Sequence, residues 1–181
     1  MPRIHPLKHE HAQGKAKELL DVVKQKLGGT PNILTTMAHS PAALESYLSF
    51  SGALGNGTFP AGLREQIALA VAGASSCEYC AAAHTAIGKG AGVPEEELAL
   101  ALDGQPTDPK AAAAVRFART LVEKRGWVSD EDIEAFKAAG FDDGQVMEIV
   151  AVISLNIYTN LINHVAQTDI DFPKVAVPQQ A

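Results

Sequence analysis

The two cysteines are the residues whose types and spacing most directly suggest chemistry. They stand as Cys77-Glu78-Tyr79-Cys80, and His84 follows one helical turn later. On a helix, spacings of i, i+3 and i+7 place Cys77, Cys80 and His84 on one stripe. Free backbone N–H groups at a helix start stabilise a thiolate, and an imidazole one turn away can exchange its proton. The pattern therefore favours a redox-active pair whose second thiol closes a disulfide on an oxidised first one.

An acidic residue upstream extends this cluster. Glu65 lies twelve residues before Cys77, within the otherwise apolar segment from Pro60 to Ala74. If the helix that carries Glu65 packs against the helix that carries the cysteines, its carboxylate faces the thiol pair as a proton acceptor. We expect Cys77, Cys80, His84 and Glu65 to form one catalytic site.

Two other interpretations use the same residues. Cys77, Cys80, His84 and Glu65 could supply four ligands to zinc. Structural zinc, however, usually ties together a domain that is too small to bury a sufficient core, and 181 residues are enough for one. A non-enzymatic protein with inert thiols is the third alternative. We favour the redox interpretation and expect neither a bound metal nor a cofactor.

The spacing of these residues resembles a known signature. Glu65 followed by Cys77-Glu78-Tyr79-Cys80-Ala81-Ala82-Ala83-His84 is similar to the Glu…Cys-x-x-Cys-x-x-x-His motif of AhpD-like alkylhydroperoxidases in the carboxymuconolactone decarboxylase superfamily. The segments 160–164 and 169–173 resemble the branch of peroxidase-related enzymes. The resemblance implies an all-helical bundle that assembles as trimers or hexamers. It also implies reduction of hydroperoxides or disulfides, recycled by a dithiol donor such as a lipoyl protein.

The resemblance also implies a role for each residue. Cys77 and Cys80 match the redox pair, His84 the proton-relay histidine and Glu65 the relay acid. Tyr79 stands where the best-known AhpD proteins have a histidine, which puts a relay through that position in question. The decarboxylase members typically lack the cysteine pair, so lactone decarboxylation is not the expected activity.

The order in which the cysteines react is open from the sequence. A position at the helix start favours Cys77 as the attacking thiol. The one-turn spacing to His84, together with the resemblance, favours Cys80. We take Cys80 as the attacking residue.

Composition and charge exclude several classes of protein. The chain has 181 residues, of which 46% are hydrophobic and 20% charged, as in a single globular domain that spans residues 1–181. Its net charge of −6 argues against a general nucleic-acid binder. Continuous apolar runs such as residues 149–153 are far shorter than the roughly 20 residues that span a bilayer, and the N-terminal stretch lacks the apolar run of a secretory signal. We expect a cytoplasmic protein that does not bind membranes.

The elements that must position the site are predicted to be helices. Apolar residues recur at helical spacing, and Thr30-Pro31 and Ser40-Pro41 each place a capping residue before a proline in the first turn. A faint correspondence at an offset of 80 residues, seen at Glu65, Cys80 and His84, suggests a degenerate internal repeat. An extended tail is expected over residues 169–181. The expected helices cover about residues 10–27, two helices between 31 and 54, then 60–74, 77–88, 94–102, 109–124, 129–140 and 144–165.

Overall fold

The computed structural model describes residues 1–177, which fold into one domain of nine α-helices and a single 3-10 turn, with no strand among them. The prediction of an all-α fold is thus confirmed. The helices are α1 (Gly14–Leu27), α2 (Asn32–Met37), α3 (Pro41–Gly55), α4 (Ala61–Ala74), α5 (Glu78–Gly90), α6 (Glu95–Asp103), α7 (Pro109–Glu123), α8 (Asp130–Ala138) and α9 (Asp143–Ala166).

Side-chain caps define several helix starts, as the sequence predicts. The Ser40 hydroxyl accepts a hydrogen bond from Ala43 N at 3.3 Å, and the Asp108 carboxylate accepts one from Ala111 N at 2.8 Å. Each cap satisfies a backbone N–H group that has no partner within the helix. Ser129 forms the predicted capping box at the start of α8.

Two predicted boundaries are wrong. The first helix begins at Gly14 and not near residue 10, because Ala12 and Gln13 have extended backbone conformations that separate it from the 3-10 turn His9–His11. Thr30 does not cap α2. The N-cap there is Pro31, with φ −52° and ψ 145° and no side-chain cap, so the helix begins one residue later than predicted.

Helix α4 lies at the centre of the bundle, in contact with α5, α6, α7 and α9. Every residue from Gln66 to Ala74 is buried, because helices cover α4 on all sides of that stretch. At Gly73, a Cβ atom would collide with the backbone oxygen of Leu102. A glycine at this position therefore permits the close approach of α4 and α6.

Helix α9 closes the bundle and contacts α2, α3, α4, α5, α7 and α8. Within the described part of the chain, it is the one helix that is long and apolar enough to cross a membrane, by length and composition alone. A core helix meets the same criteria, and the inner side of α9 also buries Asn156, Asn160 and Asn163. Leu161, on the outer side of the same helix, is exposed.

The two segments that correspond at an offset of 80 residues do not have the same arrangement of helices. Glu65 lies on α4 and Cys80 on α5, whereas their counterparts Gln145 and Asn160 both lie on the uninterrupted helix α9. After α9, the C-terminal segment (residues 169–177) contains no helix, in agreement with the predicted tail, whose last four residues lie outside the described part. Asn32 binds this segment through Nδ2, which donates to the Asp169 carbonyl at 2.9 Å.

Candidate active site

The two cysteines are brought together at the junction between α4 and α5. Ser76 adopts a left-handed conformation with φ 51°, and the chain then enters α5 with Cys77 as the N-cap. Cys80 N donates to the Cys77 sulfur at 3.3 Å, in the geometry of a side-chain cap. The two residues form a disulfide with a Cα–Cα distance of 5.3 Å. The structure thus contains the disulfide that the Cys-x-x-Cys spacing allows.

Glu65 and His84 form a partly buried pair beside this disulfide. The packing of α4 against α5 brings His84 Nδ1 to 2.7 Å from Glu65 Oε2, with the side chains 20% and 15% exposed respectively. At Gly88, one turn beyond His84, a Cβ atom would collide with the Leu98 side chain and lie 3.4 Å from the Glu65 Cβ. This glycine allows the helices to approach closely enough for the pair to form.

The Glu65 carboxylate is hydrogen-bonded to His84, whereas the sequence analysis expected it to face the thiol pair. Of the two residues, only His84 lines the cavity beside Cys80. A carboxylate that holds the proton on Nδ1 leaves Nε2 as the nitrogen that can accept or return a proton. The pair is therefore an oriented imidazole, with its tautomer set by Glu65.

The Cys80 cavity, an apolar space of about 90 Å³, lies between α5 and the segments that cover it. Cys80 and His84 are its chemically reactive members. Most other lining groups are aliphatic or aromatic, which suits a site that admits neutral organic molecules. The lining residues are Leu27, Pro31, Ile33, Leu34, Tyr47, Tyr79, Cys80, Ala83, His84, Ile87, Thr159, Asn163 and Phe172.

Tyr79 fastens the C-terminal segment across this cavity. Its hydroxyl donates to Asp171 Oδ1 at 2.7 Å and accepts from Ile33 N at 3.2 Å. Its ring makes an edge-to-face contact with Phe172, with a centroid distance of 5.7 Å. Burial, followed by the nearby Asp171 carboxylate, raises the pKa of the Tyr79 hydroxyl above its ordinary value. This residue therefore remains a neutral hydrogen-bond donor.

Asn163 is a candidate functional residue that the sequence analysis missed. It is 5% exposed, and its Nδ2 group donates to the Cys80 sulfur at 3.3 Å. The available signal was an asparagine on the buried side of an apolar helix, where a polar side chain needs a partner. His164, the next residue on α9, is exposed.

A second cavity, the Cys77 groove, opens on the other side of the disulfide. It has a volume of about 380 Å³ and is more polar than the Cys80 cavity. Cys77 lines this groove and Cys80 does not. The lining residues are Ser76, Cys77, Glu78, Tyr79, Asn163, His164, Gln167, Thr168 and Ile170.

The structure pairs the four residues that were considered as zinc ligands with one another. The two sulfurs are bonded to each other, and His84 Nδ1 is bonded to Glu65. Across residues 1–177, no group of three His, Cys, Asp or Glu side chains is arranged to hold one metal ion. The four residues proposed as ligands are thus a disulfide and a carboxylate–imidazole pair.

Comparison with known proteins places this site in a family context. Residues 41–123 match the model of the carboxymuconolactone decarboxylase family. This stretch runs from the start of α3 to the end of α7 and contains all four predicted site residues. No curated protein sequence matches the chain.

Solved structures share the whole fold. One is the AhpD core of an uncharacterised peroxidase-related protein from Ralstonia eutropha JMP134, with 23% identity, a TM-score of 0.85 and coverage of 94% of this chain and 92% of that one. A peroxidase-related protein from Silicibacter sp. TM1040 gives 21% identity, a TM-score of 0.78 and coverage of 92% and 91%.

A third similar structure is that of a protein named for a different activity. It is a cysteine-to-alanine variant of the debrominase Bmp8 in complex with 2,3,4-tribromopyrrole. It is 20% identical, has a TM-score of 0.79, and the alignment covers 93% of this chain and 91% of that one. At such identities the likeness concerns the fold, so the chemistry has to be argued from the residues of the site.

Proposed function

We propose that this chain, an AhpD-like member of the carboxymuconolactone decarboxylase superfamily, is a thiol-dependent peroxidase with an antioxidant role, recycled by an external dithiol. One observation carries the proposal. The Cys77–Cys80 disulfide has one sulfur at an apolar cavity that also contains the imidazole of the Glu65–His84 pair. A thiol, a proton-transfer group and an apolar binding space are what reduction of an organic hydroperoxide requires.

In the proposed oxidation, the Cys80 thiolate attacks one oxygen of the hydroperoxide. His84 Nε2 has first taken the proton of the Cys80 thiol. The O–O bond breaks, the alkoxide leaves with the bonding electrons and receives that proton from His84 Nε2, and Cys80 becomes a sulfenic acid. Asn163 Nδ2, 3.3 Å from the Cys80 sulfur, supports the thiolate that attacks. The Cys77 thiolate then attacks the Cys80 sulfur, and the hydroxyl leaves as water when it is protonated. The product is the disulfide that the structure contains.

Cys80 is preferred over Cys77 as the attacking residue because of its surroundings. Cys80 lines the same cavity as His84, whereas Cys77 lines the groove on the other side. The N-cap position of Cys77 and its hydrogen bond from Cys80 N favour a thiolate at Cys77 as well. That thiolate is needed in the second step, when the disulfide closes. We further propose a cytoplasmic homo-oligomer, trimeric or hexameric, with a hydroperoxide substrate and a dithiol reductant such as a lipoyl protein.

Thiol counting on the reduced protein tests this function. Hydrogen peroxide or an organic hydroperoxide should remove both thiols of each chain, and a dithiol donor should restore them. Cys80→Ser should abolish peroxide consumption. Cys77→Ser, the matched control, should still form one sulfenic acid that a dimedone reagent traps. Full peroxide consumption by Cys80→Ser would overturn the assignment, and thiols that do not react with any peroxide would overturn the function.

Reductive debromination is the second candidate. The observation that favours it is that three aromatic residues, Tyr47, Tyr79 and Phe172, line the cavity together with Cys80, in a fold shared with a debrominase. In that reaction, two thiols reduce an aryl bromide to the arene, with bromide and a proton released and a disulfide formed. Incubation of the reduced protein with a brominated pyrrole should release one bromide for each disulfide formed. If peroxide removes the thiols but no bromide is released, debromination is excluded and the peroxidase function remains.

A further inference from the structure

We propose that the Cys77–Cys80 disulfide is reduced from the Cys77 side, through the Cys77 groove, so that oxidant and reductant reach the two sulfurs from separate cavities. This inference rests on the proposed function in one respect, which is that the disulfide is formed and reduced in turnover. It assigns an entry route, and a reductant of stated chemistry, to a groove that the peroxide reaction does not use.

The position of each sulfur supports two routes. Cys77 lines the groove and Cys80 lines the apolar cavity, while Tyr79 and Asn163 line both spaces. These two side chains are therefore the wall between the cavities. Tyr79 is held in that wall by its hydrogen bonds to Asp171 and Ile33, and Asn163 by its contact with the Cys80 sulfur.

The charge of each reagent favours the same assignment, with the hydroperoxide in the Cys80 cavity and the reductant in the Cys77 groove. A hydroperoxide is neutral and loses little on entering an apolar cavity of about 90 Å³. The attacking form of a thiol is the anionic thiolate, whose desolvation in such a cavity is costly. The groove is larger, at about 380 Å³, and offers polar groups from His164, Gln167 and Thr168. Glu78 is the carboxylate that lines it, and solvent screens that charge because Glu78 is exposed.

The size of the groove suits a small dithiol. Cys77 lines a space of about 380 Å³, and a flexible alkyl dithiol is narrow enough to enter it. The side chains of Asn163 and Thr168, which also line the groove, are 5% and 7% exposed.

The reduction then proceeds in two balanced exchanges. A thiolate of the reductant attacks the Cys77 sulfur, the S–S bond breaks, and Cys80 leaves as a thiolate with the bonding electrons. Asn163 Nδ2 stabilises that leaving group. The second thiolate of the reductant attacks the reductant sulfur of the mixed disulfide, and Cys77 leaves as a thiolate that accepts from Cys80 N. The reductant becomes a cyclic disulfide, two electrons reach the cysteine pair, and the two thiol protons pass through solvent in the groove.

Partial reaction of the wild-type protein with a monothiol identifies the sulfur that is attacked. The oxidised protein is treated briefly with 2-mercaptoethanol, quenched with iodoacetamide, and fragmented in a mass spectrometer between Cys77 and Cys80. The mixed disulfide should lie on Cys77, with the alkyl group on Cys80. A mixed disulfide that lies mainly on Cys80 would overturn the inference.

Narrowing the groove provides the second test. His164→Trp should slow reduction of the oxidised protein by dihydrolipoamide about tenfold or more. Met147→Trp, at a 66% exposed position on the same helix, is the bulk control and should match wild type. Oxidation of the reduced protein by hydrogen peroxide should be the same in both variants and in wild type.

Equal reduction rates for His164→Trp and Met147→Trp would contradict entry through the groove. The two proposals fail in different ways. A protein that does not consume peroxide, yet forms the mixed disulfide on Cys77, would refute the peroxidase and retain the entry route. A protein that consumes peroxide but is reduced through Cys80 would retain the peroxidase and refute the entry route.

Discussion

Replacing Tyr79 with phenylalanine should loosen the C-terminal segment over the candidate active site. The change removes one hydroxyl and keeps the ring that packs against Phe172. Two hydrogen bonds are lost, the donation to Asp171 Oδ1 at 2.7 Å and the acceptance from Ile33 N at 3.2 Å. The expected result is a less stable protein in which residues 169–177 are more weakly held.

The size of the loss follows from the two partners. A hydrogen bond to a carboxylate contributes about 1.5–3 kcal/mol, and a neutral one about 0.5–1.5 kcal/mol. Asp171 is exposed and still accepts from Asn32 N at 2.8 Å, so water and this bond recover part of the first loss. Ile33 N is buried and recovers less. We expect a net decrease of about 2 kcal/mol in the free energy of unfolding, or a Tm lower by about 4–8 °C for a chain of this length.

Urea unfolding with a matched tyrosine variant measures this loss. Tyr158→Phe removes a hydroxyl that donates to the Ala43 carbonyl at 3.3 Å, and should cost less than about 1 kcal/mol. A double-mutant cycle of Tyr79→Phe with Asp171→Ala should give a coupling energy of about 1 kcal/mol or more. Equal losses for the two tyrosine variants, together with no coupling to Asp171, would refute the reasoning.

Three further predictions concern the relay, the cavity and the acid stability of the fold. Glu65→Gln should slow peroxide-driven thiol loss about 100-fold, because the imidazole loses its orienting carboxylate; an unchanged rate would remove Glu65 from the relay. Ala83→Phe should fill the cavity of about 90 Å³ and slow oxidation by cumene hydroperoxide more than by hydrogen peroxide, whereas equal slowing would mean that the organic group binds elsewhere. Partial burial raises the pKa of Glu148, but hydrogen bonds from Thr58 and Phe59 lower it more, so the folded-state pKa lies below 4.5. The carboxylate thus stabilises the fold above that pH, and the stabilisation is lost as the pH falls through the lowered folded-state value. Urea unfolding at about pH 7 and about pH 4 should therefore show a smaller acid-induced loss for Glu148→Gln than for wild type, and an equal loss would contradict the assignment.

Features of the site that depend on neighbouring residues could be predicted from the sequence. Cys77 and Cys80 are three positions apart, so helical geometry alone brings their sulfurs together. The caps at Ser40 and Asp108 follow from a short polar side chain before a proline. The contact between Glu65 and His84 required one assumption, that consecutive helices pack against each other, and α4 and α5 do so.

The features that were missed depend on residues far apart in the sequence. Asn163 reaches Cys80 across 83 positions, and Tyr79 reaches Asp171 across 92. No periodicity specifies which helix lies opposite a given side chain, so neither contact could be read from local patterns. The division of the space around the disulfide into two cavities depends on those same two contacts, and could not have been predicted without them.

The tyrosine before the second cysteine has a physical interpretation. A relay residue must accept a proton at the working pH, but burial and Asp171 raise the pKa of Tyr79, and its hydroxyl already makes two hydrogen bonds. Tyr79 therefore holds the wall between the two cavities without transferring protons. Under the proposed function, proton exchange at Cys80 depends on His84 and its carboxylate partner, and exchange at Cys77 on the solvent of the groove. The same proposal then lets one short motif react with a neutral hydroperoxide on one side and with a thiolate on the other.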